Sequence, residues 1–243
     1  MMSGKRISLD GAQRRRLYLF RHGAVDYVDR DGKVVPEPDL VSLNVKGQSQ
    51  ADAMGQLFAE VSVDRAICSG LARTRETADR IMGSRQLAIE VNAGLEEIRP
   101  ATRDGTGHLD LIEDIAFSHW RAADEGSRFL GGELYADFYT RISATIESIL
   151  ADNDWENLAV FAHGGTNAAI LGWVTGLGLS AFGIIDQATC CLNVIDLDFH
   201  STEKRLLRKT VRGMNITVDD PTKAKRQSGD MESLAKYLMR FTS

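Results

Sequence analysis

Leu17-Tyr18-Leu19-Phe20-Arg21-His22-Gly23 decides the fold of this chain: four apolar residues run straight into a guanidinium, an imidazole and a glycine. An apolar run without alternation reads as a strand buried on both faces, and Gly23 opens a turn after it. Leu158-Ala159-Val160-Phe161-Ala162 repeats the design, ending in His163-Gly164-Gly165 and running into a helix from about Thr166. Between them Arg65-Ala66-Ile67-Cys68 reads as a short strand, and a helix over about 72–82 holds Arg73 in its first turn, with Ser69 expected as its N-cap. Further strands are expected at 87–91 and 189–197, and further helices at 45–60 and 133–151, the latter carrying Leu134, Phe138, Ile142, Ile146 and Ile149 at helical spacing. This alternation predicts an α/β chain, a three-layer α/β/α sandwich around a mostly parallel sheet. Such sheets place their chemistry beyond the C-terminal ends of the strands, where Arg21, His22 and His163 fall.

The chain has 243 residues, 43% of them hydrophobic, enough for one sizeable core, and a single domain over 1–243 is expected. A formal net charge of −5 argues against a nucleic-acid partner. Three cysteines, Cys68, Cys190 and Cys191, form neither a disulfide framework nor a metal-ligand spacing, which fits a reducing cytoplasm. Arg14-Arg15-Arg16 precedes an apolar stretch too short for a signal peptide. Ala168 to Ile185 is uncharged, but Gly172, Gly176, Gly178 and Gly183 interrupt it, so no membrane span is expected. A helical insert is expected over about 100–131. A C-terminal extension from about 198 to 243 holds a strand-like 206–211 and a helix with Met231, Leu234, Leu238 and Phe241 on one face. That stripe reads first as core packing and second as a homodimer contact.

Four segments carry chemistry: Arg21-His22-Gly23; Ser69-Gly70-Leu71-Ala72-Arg73-Thr74-Arg75-Glu76-Thr77-Ala78; Leu95-Glu96-Glu97-Ile98; and His163-Gly164-Gly165. In this order and spacing the chain resembles the histidine phosphatase superfamily, the phosphoglycerate mutase-like proteins. The family's Gly-Glu element before a long helix has a counterpart in Gly131-Gly132-Glu133. The resemblance implies a metal-independent phosphomonoesterase, without cofactor, that passes the phosphoryl group of a small metabolite through a phosphohistidine at His22. It also implies that the 100–131 insert helps to form a lid.

The residue types suit that chemistry. Phosphoryl transfer needs fixed positive charge around the phosphoryl oxygens, and Arg21 and Arg73 offer forked donors. His163, if protonated, adds a third, and Gly164 a backbone amide at a helix N-terminus. His22 must keep one ring nitrogen unprotonated to attack, its other nitrogen oriented by a hydrogen bond, expected to a backbone carbonyl. A carboxylic acid must protonate the leaving oxygen and then activate water. Read as neighbours on a strand, Glu96 and Glu97 face opposite sides, so only one of them enters the site; Glu97 occupies the family's position for it, with Glu96 as the alternative.

Two departures bear on substrate. Family members commonly continue Arg-His-Gly with Glu-Thr or Glu-Ser and an Asn shortly after, where this chain has Ala24-Val25-Asp26-Tyr27-Val28. The continuation after Leu-x-Glu-Ile is replaced by Arg99-Pro100-Ala101-Thr102-Arg103-Asp104-Gly105. Asp26, Tyr27, Arg99 and Arg103 are therefore candidate selectivity residues. A segment like the one mutases use to hold a bisphosphorylated substrate is not recognisable, which favours a phosphatase over a mutase. A catalytically quiet phospho-ligand docking module is the alternative from another class.

Overall fold

Side chains of strand β1 (Ala12–Arg21) alternate between two apolar layers: Leu17 and Leu19 enter one core, Tyr18 and Phe20 the other. The structure, a computed structural model, describes residues 11–29, 31, 33, 35, 37–83, 85–101, 108–152 and 154–241. After β1 come α1 (Val45–Phe58), β2 (Arg65–Cys68), α2 (Ala72–Met82), β3 (Ile89–Val91), α3 (His108–Phe117), α4 (Tyr135–Ala151), β4 (Asn157–Ala162), α5 (Gly164–Thr175), α6 (Ala181–Ile184), β5 (Leu192–His200), β6 (Leu206–Ile216) and α7 (Asp230–Leu238). The sheet order is β3-β2-β4-β1-β5-β6. The first three pairings are parallel, the two involving β5 antiparallel.

Helices cover both faces, as the buried-strand reading requires. On one side Leu158 and Val160 of β4 meet Phe138, Ile142 and Ile146 of α4 and Ile170 and Leu171 of α5. On the other, Ala159 and Phe161 meet Met54 and Phe58 of α1 and Ile81 and Met82 of α2. Each such Leu, Ile, Met or Phe contributes about 1.5–3 kcal/mol by leaving water. Among the described residues no helix is long and apolar enough to cross a membrane.

The basic run at 14–16 is part of the sheet. Arg14 and Arg16 share a face and bond Asp198 and Asp196 of β5, each at 2.7 Å, while Arg208 and Arg212 of β6 reach the same carboxylates. Arg15 points to the opposite face and is buried, its guanidinium against the rings of Trp155 and Phe199. Part of the expected extension likewise belongs to the sheet, since β6 is its edge strand. Beyond β6, Met231, Leu234, Ala235 and Leu238 of α7 pack against Ile112 and Ile115 of α3. Insert and tail thus form one cover.

Two local expectations are corrected. Ser69 does not cap α2, whose N-cap is Leu71 with no side-chain hydrogen bond, because the Ser69 hydroxyl is taken by His163 and Thr74. Glu96 and Glu97 follow a one-turn 3-10 helix, Ala93–Leu95, and are not strand residues. They diverge because Glu96 is drawn outward to Arg99 and Glu97 inward to the start of α5.

Candidate active site

Three neighbouring strands end together. Arg21 of β1 lies beside Ala162 of β4, and Cys68 of β2 beside Phe161, so the residues that follow, His22, His163 and Ser69, emerge at one edge of the sheet. The His22 amide donates to the Ala162 carbonyl at 3.0 Å, and the two imidazole rings meet edge to face with centroids 5.3 Å apart. The loop after His22 is pinned against α1. A Cβ on Gly47 would fall 2.1 Å from the Ala24 carbonyl oxygen, so only glycine lets helix and loop touch. Thr77 of α2 adds a hydroxyl that accepts the Gly23 amide at 3.0 Å.

His22 is held in a single tautomer. Its Nδ1 donates to the Gly23 carbonyl at 2.7 Å, a backbone carbonyl as expected, which leaves the lone pair on Nε2. Burial, then the positive charges of Arg21 and Arg73, hold its pKa well below the ordinary histidine value, so the ring is neutral.

His163 sits at the end of a hydroxyl chain. Thr74 Oγ1 donates to the Leu71 carbonyl at 2.8 Å, Ser69 Oγ contacts Thr74 Oγ1 at 2.9 Å, and His163 Nε2 contacts Ser69 Oγ at 2.8 Å. A carbonyl can only accept, so one assignment satisfies all three contacts: Nε2–H donates to Ser69, which donates to Thr74, which donates to Leu71. Nδ1 then carries no proton, and it is buried without a partner. Burial and the nearby Arg73 lower its pKa well below normal, so the third cation expected from the sequence is a neutral ring in the free site.

Among the described residues Arg21 and Arg73 each keep a buried Nε without a partner, while Arg73 Nη1 is anchored on the Pro38 carbonyl at 2.9 Å. Arg21 lies across the start of α5: a Cβ on Gly164 would be 3.3 Å from Arg21 Nε. Glu97 accepts the next two amides of that helix, Gly165 on Oε2 at 3.0 Å and Thr166 on Oε1 at 3.1 Å. A Cβ on Gly165 would reach 2.5 Å from Glu97 Oε1, so this glycine admits the carboxylate.

The selectivity candidates separate. The Tyr27 ring stays beside Arg73, its centroid 5.7 Å from the guanidinium. Asp26 is turned away, accepting from Asn44 at the start of α1 at 2.8 Å. Arg99 is exposed and pairs with Glu96 at 2.7 Å, and Arg103 lies outside the described residues. Sequence reasoning missed Gln187 and Asp230, which both bond Arg21. It also missed the roles of Ser69 and Thr77, whose signal was their place in the motif that carries Arg73.

The residue pattern finds its counterpart in a known group: the family model described as histidine phosphatase superfamily (branch 1) matches residues 17–210. The chain belongs to the histidine phosphatase superfamily. Among relatives within this superfamily, it is 26% identical over 204 residues to the adenosylcobalamin/alpha-ribazole phosphatase of Escherichia coli, covering 82% of this chain and 98% of that protein. It is 27% identical over 187 residues to the 2-carboxy-D-arabinitol-1-phosphatase of Triticum aestivum, covering 76% of this chain. The match spans only 37% of that plant protein's length. The fold matches that of a mycobacterial glucosyl-3-phosphoglycerate phosphatase with TM-score 0.67 at 20% identity, over 84% of this chain and 99% of that one.

Proposed function

We propose that this chain is a metal-independent phosphomonoesterase that hydrolyses a small phosphorylated metabolite through a phosphohistidine on His22. The observation that carries the reading is a set of three buried polar atoms without partners, Arg21 Nε, Arg73 Nε and His163 Nδ1, gathered around a neutral imidazole. Buried polar groups are rarely left unmatched, and a phosphoryl group's oxygens would answer the two arginine Nε–H donors directly and His163 Nδ1 once one proton is added. The Gly164 amide, at the N-terminus of α5, joins them as a donor.

The chemistry follows in two displacements. His22 Nε2 attacks phosphorus with its lone pair while the phosphorus–oxygen bond to the leaving group breaks, and Glu97 as the acid gives that oxygen a proton. Water then attacks phosphorus, Glu97 takes a proton from it, and the phosphorus–nitrogen bond breaks to return the lone pair to His22. The two α5 amides hold the Glu97 carboxyl at the start of that helix, next to His163, which supports this role. Phosphatases of small metabolites among the relatives support the substrate class. Three free, buried cysteines support a reducing cytoplasmic location.

Hydrolysis of an aryl phosphate in EDTA, wild type against His22→Ala, tests the proposal. We expect one phosphate per ester cleaved by the wild type, an acid-labile phosphoenzyme in a rapid quench, and neither from the variant. Turnover retained by folded His22→Ala would overturn it.

A further inference from the structure

Arg21 uses its two ends differently. Nη1 donates to the Gln187 carbonyl at 2.5 Å and to the carboxylate of Asp230. Nε is buried and free, and the Nε/Nη2 edge lies toward Gly164, whose would-be Cβ is 3.3 Å from Nε and 3.7 Å from Nη2. A guanidinium grips a phosphate through two parallel N–H groups on one edge. Here Nη1 serves the protein and the other edge is left toward the start of α5.

Asp230 comes from far away, 209 residues along the chain and beyond the stretch that matches the family model. It is the first residue of α7 and is delivered by a built support. Its other oxygen receives Arg226 Nη1 at 2.8 Å, and Arg226 is held in turn by both oxygens of Asp186 at 2.7 and 2.9 Å. Glu232 fixes the start of the helix by accepting the Gly229 amide at 2.7 Å. The apolar face of α7 rests on α3, and the Tyr237 hydroxyl donates to the Asp29 carbonyl at 3.1 Å. Burial would raise the Asp230 carboxyl, but Arg21 and Arg226 outweigh it and hold it at about 2, fully ionised. The formal charges of Arg21, Arg226, Asp186 and Asp230 cancel, so the cluster supplies orientation and not extra positive charge.

We infer that Asp230 is a positioning residue for phosphoryl transfer: by holding Nη1 it presents the Nε/Nη2 edge of Arg21 to the phosphoryl group. α7 is then a wall of the active site, and the inference rests on the function proposed above. The rival role is a plug, a carboxylate that competes with substrate for Arg21. The two roles move kcat and KM in opposite ways. A lost positioning contact lowers kcat, about tenfold for a misaligned donor, and leaves KM unchanged or raised as Arg21 loosens its grip on the phosphoryl group. A removed plug lowers KM and raises kcat/KM.

The experiment is steady-state kinetics of Asp230→Ala and of the closer isostere Asp230→Asn, with proton–nitrogen correlation spectra of the arginine side chains. We expect a tenfold lower kcat in Asp230→Ala, a smaller loss in Asp230→Asn, and disappearance of the resolved Arg21 Nη signals of a held guanidinium. In an Arg21→Lys background Asp230→Ala should cost nothing further in kcat. Unchanged kcat, a raised kcat/KM or persistent Nη signals in both variants overturn the inference. If the wild type cleaves no ester, the phosphatase reading falls, and titration with inorganic phosphate still decides the positioning role. The Arg21 Nε signal must then shift in the wild type and not in Asp230→Ala.

Discussion

The hydroxyl chain on His163 fixes a proton count for phosphate binding. Nε2–H is committed to Ser69, so the neutral ring offers only a lone pair at Nδ1, and a phosphate dianion offers only lone pairs in return. The two can bond only if one proton is added, either to make His163 an imidazolium or because the ligand enters as its monoanion. Both routes end in the same complex, with one proton more than neutral site plus dianion. His163 is held neutral in the free site by burial and by Arg73. Above about pH 7 phosphate is mostly dianion, so linkage makes Kd rise about tenfold per pH unit. The sign follows from the complex binding the extra proton: affinity is full at acid pH and lost as pH rises. Ser69→Ala removes the lock, since Nδ1–H becomes an available neutral form and the slope flattens. It also leaves Nε2 buried without a partner in the free and the bound state alike, so that penalty of about 1–3 kcal/mol falls on folding stability and not on affinity. Calorimetric titration with inorganic phosphate from pH 7 to about 9, in buffers of different ionisation enthalpy, reads both slope and proton uptake. A wild-type Kd independent of pH, or no proton taken up, refutes the tautomer and the reasoning built on it.

Glu97→Gln should slow cleavage of an alkyl phosphate by about 100- to 10,000-fold, because that leaving group needs a proton, and should slow formation of the phosphoenzyme from an aryl phosphate far less. Equal losses on the two substrates in single-turnover experiments would remove Glu97 from the acid role. Gly47→Ala should destabilise the fold by about 1–3 kcal/mol, since the new methyl overlaps the Ala24 backbone oxygen at 2.1 Å and neither backbone segment can yield cheaply. Urea unfolding measures it, and an unchanged midpoint would mean that α1 and the loop separate freely.

Strands and helices were legible because their apolar periods are strong: Tyr18 and Phe20 against Leu17 and Leu19 in β1, and Phe138, Ile142 and Ile146 along α4. Arg21, His22, Arg73 and His163 were legible because each sits where an element ends or begins, so chain order alone brings them to the sheet edge. Roles were harder to read than places. Ser69 looks like any helix cap until the fold puts His163 across from it, a partner 94 residues away. Arg14 and Arg16 look like a basic leader until β5 and β6 surround them. Asp26 lies next to the pocket in sequence, but Asn44 turns it outward. Asp230 carries no local signal, because an acidic residue in a helix's first turn is common for reasons of the helix dipole alone. Only tertiary geometry shows that it faces Arg21.

The order of strands in the sheet also dictates when this molecule can come into being. β1 is made first, yet its neighbours are β4 and β5, and β2 likewise reaches the rest of the sheet only through β4. Until Asn157 and the residues after it have been synthesised, Leu17-Tyr18-Leu19-Phe20 has none of its partner strands, and among the described strands β2 with β3 is the one pairing available. At about 5–20 residues per second that wait on the ribosome is on the order of ten seconds. The emerging chain therefore carries an unpaired strand with a four-residue apolar run, the kind of segment that chaperones shield and that aggregates when they do not. His22 and His163 meet in the same event that seats β1 at the centre of the sheet, so assembly of the core and assembly of the histidine pair are a single late step of folding.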